Sequence, residues 1–256
     1  MLRQELLRFF AALRFFTRLP VPAWVGHSQD QLDHATRYFP LIGVLVGAIT
    51  ALVTAAAASV LPISLAIVLG MTASVLLTGA FHEDGFADVC DGFGGGGDKA
   101  QVLTIMKDSR VGSYTVVGVG LLLLAKWNAL NEIDAAFDWP ALPLALVAAH
   151  AASRLASASL IFALDYVRED ATTKAKPLAT RMARHELAIA AVCGLSPCLL
   201  LPLAEALTAL AAMGITTWLL ARYFVRRIGG YTGDCLGATQ QLAELAFYLG
   251  LLCSFT

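Results

Sequence analysis

The stretch YFPLIGVLVGAITALVTAAAASV, Tyr38 to Val60, carries no charged side chain. A bilayer core is about 30 Å thick and needs about 20 consecutive apolar residues to cross it as a helix. A helix also satisfies its own backbone polar groups where no water can. The stretch therefore reads as a membrane span, and the pattern recurs along the chain. Further spans are expected at Pro62–Phe81, Ser113–Leu130, Pro140–Leu164, Leu187–Leu203, Ala204–Phe224 and Leu236–Phe255. That makes seven, within a range of six to eight. The last is weakened by Gln240, Gln241 and Glu244, and the sixth abuts the fifth at Pro202. Composition agrees: 58% of residues are apolar and only 14% charged, with a mean hydropathy of +0.70. Soluble domains are about a quarter charged, so this chain cannot cover a water-facing surface. The expected architecture is all-α, a polytopic transmembrane helical bundle forming one integral-membrane catalytic domain over residues 1–256.

Outward from the spans, charge is distributed unevenly. Arg3, Arg8, Arg14, Arg18 and Arg37 precede the first span. Lys99, Lys107 and Arg110 follow the second; Arg168, Lys174, Lys176, Arg181 and Arg184 follow the fourth; Arg226 and Arg227 follow the sixth. The alternate connections carry no Lys or Arg, which predicts a cytoplasmic N-terminus and an outer C-terminus. Residues 1–20 interleave arginines with Leu6, Phe9, Phe10, Leu13 and Phe16 at helical spacing and end at Pro20, as an interfacial amphipathic helix does. The five cysteines show no paired CxxC spacing and read as free thiols. A net charge of −1 gives no reason to expect a nucleic-acid partner.

The chemistry concentrates on the expected cytoplasmic side, in a segment (residues 82–112) read as an acidic, Gly-rich catalytic loop. It opens with Phe81-His82-Glu83-Asp84-Gly85-Phe86-Ala87-Asp88-Val89-Cys90-Asp91-Gly92. If the second helix runs on through it, Asp84, Asp88 and Asp91 fall at i, i+4 and i+7 on one face. Three stacked carboxylates repel one another, and hard oxygen ligands suit Mg²⁺ or Mn²⁺. Gly85 and Ala87 would leave room for a phosphate. Gly94 to Gly97 read either as a hinge or as a nest of backbone N–H groups around a phosphate. In Met106-Lys107-Asp108-Ser109-Arg110, Lys107 and Arg110 can neutralise phosphate oxygens. Gly230-Tyr231-Thr232-Gly233-Asp234 opens the last span, with Asp234 as a further ligand or proton acceptor. Lys126 and Asn128 in the third span, and His150 and Arg154 in the fourth, are intramembrane polar groups and functional candidates on that ground. Arg154 is expected to pair with the aspartates or with a substrate phosphate. The basic stretch Thr172–Arg184 either binds an anionic substrate or anchors at the anionic leaflet.

Taken with Phe15-Phe16-Thr17-Arg18-Leu19-Pro20-Val21-Pro22 and Tyr38-Phe39-Pro40-Leu41-Ile42-Gly43, these motifs occur in an order that resembles the bacterial cobalamin synthase family, the adenosylcobinamide-GDP ribazoletransferases, over nearly the whole chain. The resemblance implies attack of the 3′-hydroxyl of α-ribazole, or of its 5′-phosphate, on the corrinoid-side phosphorus of adenosylcobinamide-GDP, with GMP leaving and Mg²⁺ as cofactor. On that reading Asp84, Asp88 and Asp91 hold the metal. Lys107 and Arg110 stabilise the leaving group, and Asp108 or Asp234, with a raised pKa, orients or deprotonates the hydroxyl. Glu83, Gly85, Ser109, Arg154, Tyr231, Thr232 and Gly233 contact substrate. Expected partners are the corrinoid and nucleoside substrates, further copies of the chain in a homo-oligomer, and other corrinoid-pathway enzymes. The acidic motif is also similar to that of CDP-alcohol phosphatidyltransferases, although Asp88 stands where that pattern has Arg. A transporter is the remaining alternative, with Lys126 and Arg154 as midplane groups.

Overall fold

The computed structural model describes residues 2–26, 29–138, 140–167 and 182–253. Most of the basic stretch 172–184 therefore lies outside the described residues. Eleven α-helices follow one another: α1 (Leu2–Phe16), α2 (Gln29–Ala35), α3 (Phe39–Ala58), α4 (Ile63–Thr78), α5 (Phe81–Gly95), α6 (Lys99–Ile105), α7 (Ser113–Ala136), α8 (Ala141–Ala163), α9 (Arg184–Leu195), α10 (Leu203–Ile228) and α11 (Gly233–Leu251). Among the described residues the only β-type pairing is an isolated bridge between Tyr166 and Tyr231.

The protein is a multi-pass membrane helical bundle. Gln31–Ala58, Ser113–Ala136, Ala141–Ala163 and Leu203–Ile228 are each long and apolar enough to cross a bilayer, and the bent pair α4–α5 makes a fifth if counted as one span. Of the remaining expected spans, Leu187–Leu203 becomes the 12-residue α9 followed by a 3-10 turn at Ser196–Leu200. Leu236–Phe255 becomes α11, whose buried Gln240, Gln241 and Glu244 lower its apolar character. α8 is the central helix, buried along most of its length, whereas α10 shows most of its surface outward. Leu121 and Leu124 on α7 and Leu207, Ile215, Trp218 and Leu219 on α10 are exposed, as lipid-facing side chains are. α3 packs between α8 and α4, and α11 lies against α10, α5 and α8.

The N-terminal segment is the amphipathic helix expected: Leu6 is exposed, while Ala11, Ala12, Leu13 and Phe16 are buried against the bundle, with Phe16 edge-on to Phe39. One expectation needs correcting: the second apolar helix does not continue through the acidic motif. It stops at Thr78, and α5 leaves at 89° to α4. The corner is built by Gly79 (φ 68°) and Ala80 (φ 60°), both left-handed. That conformation costs a non-glycine residue about 1–2 kcal/mol. The Arg18 backbone N–H donates to the Leu77 carbonyl (2.8 Å), one of the acceptors released at the end of α4.

Candidate active site

The acidic motif is helical, so residues 82–95 are not a loop. Asp84 and Asp88 lie one turn apart on α5, Asp84 exposed and Asp88 half-buried. On the opposite side of the same turns, His82, Gly85, Phe86, Val89 and Gly92 are buried. Gly85 faces the start of α11: a Cβ there would sit 3.1 Å from Cα of Asp234 and 3.3 Å from Cα of Gly237. A Cβ on Gly237 would sit 3.0 Å from the His82 carbonyl oxygen and 3.2 Å from Cα of Gly85. The bare backbones cross here, as small residues allow in membrane bundles. Gly85 thus makes room for α11 rather than for a phosphate. The crossing joins two motifs about 150 residues apart in the chain and sets Asp234 beside the Asp84–Asp88 helix.

Asp91 does something other than expected. It accepts hydrogen bonds from the backbone N–H of Gly112 (2.7 Å) and of Thr115 (3.0 Å), and Thr115 Oγ1 lies 2.6 Å from it. These are the donors that the start of a helix leaves without intrahelical partners, so Asp91 caps α7 from a distance. Asp91 thereby ties the Met106–Gly112 loop to α5. In that loop Lys107, Ser109 and Arg110 are exposed. Arg110 donates through Nε to both Asp108 oxygens (3.0 Å each), and this contact depresses the Asp108 pKa from the usual carboxylate range to about 2. A raised pKa at Asp108 is therefore not found. The glycine run is also not a phosphate nest. Gly94 and Gly95 finish α5, the Gly96 carbonyl accepts from Arg227 (2.7 Å), and Asp98 caps α6 by accepting from the Gln101 N–H (2.9 Å). A helix C-terminus presents carbonyls, which attract cations and not anions.

At the Gly230–Asp234 motif, Thr232 is fully buried and caps α11, accepting from the Cys235 N–H (3.3 Å); its hydroxyl is also 3.3 Å from Asp234 Oδ2. Tyr231 is buried too. Its N–H donates to the Asp165 carbonyl and its carbonyl accepts from the Val167 N–H, each at 3.0 Å. Both are therefore inward-facing supports of the motif, while Gly233 is exposed at the helix start.

Arg154 and Lys126 do not reach the aspartates. Arg154 donates to the His150 carbonyl (2.9 Å) and lies 3.2 Å from His150 Nδ1. Lys126 pairs with Glu244 (3.0 Å) and donates to Gln241 Oε1 (2.7 Å). Glu244 also accepts from Gln240 (2.6 Å) and Tyr248 (3.3 Å). Glu83 points the same way, its Oε1 accepting from Gln241 Nε2 (2.9 Å), so it belongs to this buried cluster and not to the exposed acidic face. Glu244 and Gln241 were visible in the sequence only as blemishes in a span. The signal for them is a stripe, Asp234, Gly237, Gln241, Glu244 and Tyr248, at i, i+3, i+7, i+10 and i+14, one face of α11.

Among the described residues, no three His, Cys, Asp or Glu side chains form a group that could hold a metal ion. Mg²⁺ typically uses one or two carboxylates and completes its shell with water and substrate phosphate oxygens, and the carboxylates of Asp84 and Asp88, one turn apart on α5, are compatible with that chemistry.

Fold and site together define a class: a multi-pass membrane protein whose carboxylate-bearing helix, bent sharply away from a span, is crossed by a second aspartate helix. The comparisons with known proteins narrow the class. A family model described as "Cobalamin-5-phosphate synthase" matches residues 8–252, and the chain belongs to that family. An adenosylcobinamide-GDP ribazoletransferase of Shewanella frigidimarina is 48% identical over 97% of this chain and 95% of its own length. Those of Shewanella pealeana and Shewanella amazonensis are also 48% identical, each over 98% of this chain and 96% of their own lengths. No solved structure matches the chain.

Proposed function

We propose that the chain transfers the adenosylcobinamide phosphate group of adenosylcobinamide-GDP to the 3′-hydroxyl of α-ribazole or its 5′-phosphate. The hydroxyl oxygen bonds to the corrinoid-side phosphorus, the bridging P–O bond to GMP breaks, and adenosylcobalamin or its 5′-phosphate forms. Family membership supports the reaction, and the observation that carries the site is the Gly85–Gly237 crossing, which seats Asp234 against the Asp84–Asp88 helix. Displacement at a diphosphate demands positioning and charge neutralisation more than covalent help. Asp84 and Asp88 would hold Mg²⁺, which supplies charge compensation on the diphosphate. Asp234 takes the hydroxyl's proton; Asp108 is the weaker acceptor, because Arg110 lowers its affinity for a proton. Lys107 and Arg110, exposed on the loop that Asp91 anchors, receive the charge that develops on departing GMP. The Lys/Arg distribution supports placing this face on the cytoplasmic side of a bacterial inner membrane.

The test is GMP release by purified protein given adenosylcobinamide-GDP, α-ribazole and Mg²⁺. Release matched by cobalamin formation, and abolished by EDTA, is the expected result. Well-folded protein that releases no GMP would overturn the reading.

A further inference from the structure

Six titratable or amide side chains meet inside the bundle, away from the exposed acidic face: Lys126 of α7, His150 and Arg154 of α8, and Gln240, Gln241 and Glu244 of α11. All six are buried. Such groups are expensive in a membrane interior and usually serve a purpose there. They form a directed chain. Glu244 is held by Lys126, Gln240 and Tyr248; Lys126 also donates to Gln241 Oε1. Gln241 Nε2 then donates to Glu83 Oε1. That last link reaches the first turn of α5, immediately before Asp84. Every polar atom of the Gln241 side chain is in use, since Nε2 also lies 2.9 Å from Gln240 Oε1. A cavity of about 30 Å³ adjoins the chain, lined by Glu83, Arg154, His150 and Glu244 among others. Two buried polar atoms of these lining residues, Glu83 Oε2 and Arg154 Nε, have no hydrogen-bond partner among the described residues.

We infer that Glu83 is a positioning residue: gripped by Gln241 from inside the membrane, it fixes the rotation of α5 and so aims Asp84 and Asp88 at the substrate diphosphate. The Gly85–Gly237 contact sets how closely α5 approaches α11, and the bonds of Asp91 to Gly112 and Thr115 fix the far end of α5. The Glu83–Gln241 bond, one turn along the same stripe of α11, fixes the first turn, where Asp84 lies. Lys126, donating to Gln241 Oε1, and Gln240, accepting from Gln241 Nε2, hold the Gln241 amide in the orientation that donates to a carboxylate. This inference rests on the proposed transfer reaction only for its activity readout.

The pair is tested by exchanging its members in the full-length enzyme. Gln241→Glu sets a carboxylate against Glu83, and kcat per folded enzyme falls about a hundredfold with KM changed by less than about threefold. Glu83→Gln alone keeps an acceptor for Gln241 and costs less than about fivefold. The double variant restores a donor–acceptor pair of reversed sense and recovers to the level of Glu83→Gln alone. A double variant no more active than Gln241→Glu would overturn the inference. So would a severe loss in Glu83→Gln, which would make Glu83 a substrate ligand. Should Gln241→Glu not fold, Gln241→Leu replaces it, with a fall in kcat of about tenfold supporting the inference and an unchanged kcat overturning it. A wild-type protein that releases no GMP is a different failure, that of the parent reaction, and the exchange is then scored on the yield of folded protein.

Discussion

Asp84 and Glu244 are both carboxylates on helices of one bundle, yet their surroundings differ in nearly every respect. Asp84 is exposed on α5, on a helix bent out of its span. Glu244 is 4% exposed and surrounded by Lys126, His150, Gln240 and Tyr248. The exposed carboxylate keeps its charge available for something that arrives. The buried one is neutralised internally, because an unpaired charge there would not be tolerated. Loss of Asp84 should therefore remove chemistry, and loss of the buried pair should remove structure.

The largest effect expected is on turnover. Asp84→Ala should lower kcat at least about a thousandfold, the scale seen when charge stabilisation at a reacting phosphate or oxyanion is lost. The midpoint of thermal unfolding in detergent should match wild type. Near-normal turnover would remove Asp84 from the metal site and collapse the contrast. Lys126→Met is the mirror experiment. It strands Glu244 without its lysine, a loss of about 3–5 kcal/mol for a broken buried pair, read as a fall in folded yield and unfolding temperature. Lys126→Met with Glu244→Leu should regain much of that stability, since removing both charges leaves neither one unpaired. If the single variant is as stable as wild type, the cluster is solvated and the comparison fails.

How much of this contrast was legible in sequence follows from the range of each interaction. The four long apolar helices were readable because apolar composition over about 20 residues is a local property. The one-face placement of Asp84 and Asp88 was readable because it needs only helical periodicity. The corner at Gly79–Ala80 was not, because the helical pattern runs through it and an alanine in the left-handed region leaves no compositional mark. Asp91 could not be told from its neighbours, since its partners Gly112 and Thr115 lie 21 and 24 residues away. Gln241 and Glu83 are 158 residues apart, and no single-sequence rule pairs them. The stripe on α11 was readable in principle, but its residues register first as a defect in a span.

Between the two regions lies the Gly85–Gly237 crossing, and a smaller change there sharpens the comparison. In Gly85→Ala the new methyl meets the Asp234 backbone at 3.1 Å, so α11 must shift by a few tenths of an ångström. Such a displacement between reacting groups should lower kcat about three- to tenfold, with the buried cluster and thermal stability little changed. A drop in stability comparable to that of Lys126→Met would mean that the crossing supports the fold more than it aligns the site.

The smallest effect separates the two aspartates proposed at the proton. Arg110 and its backbone N–H hold Asp108 ionised, with a pKa near 2 instead of the ordinary carboxylate value. A carboxylate with a depressed pKa contributes its folded-state interaction above its unfolded pKa and loses it only as pH falls through the folded value. Across about pH 5 to 9 Asp108 therefore does not titrate, and any acid limb in the kcat/KM profile there belongs to another group. Asp108→Asn should leave the position of that limb unchanged to within about 0.2 pH unit, whatever it does to its height. Asp234→Asn should remove most of the activity at every pH. An acid limb that moves in Asp108→Asn would give the proton to the exposed loop, and Asp234 would then be a support of the helix crossing rather than the base.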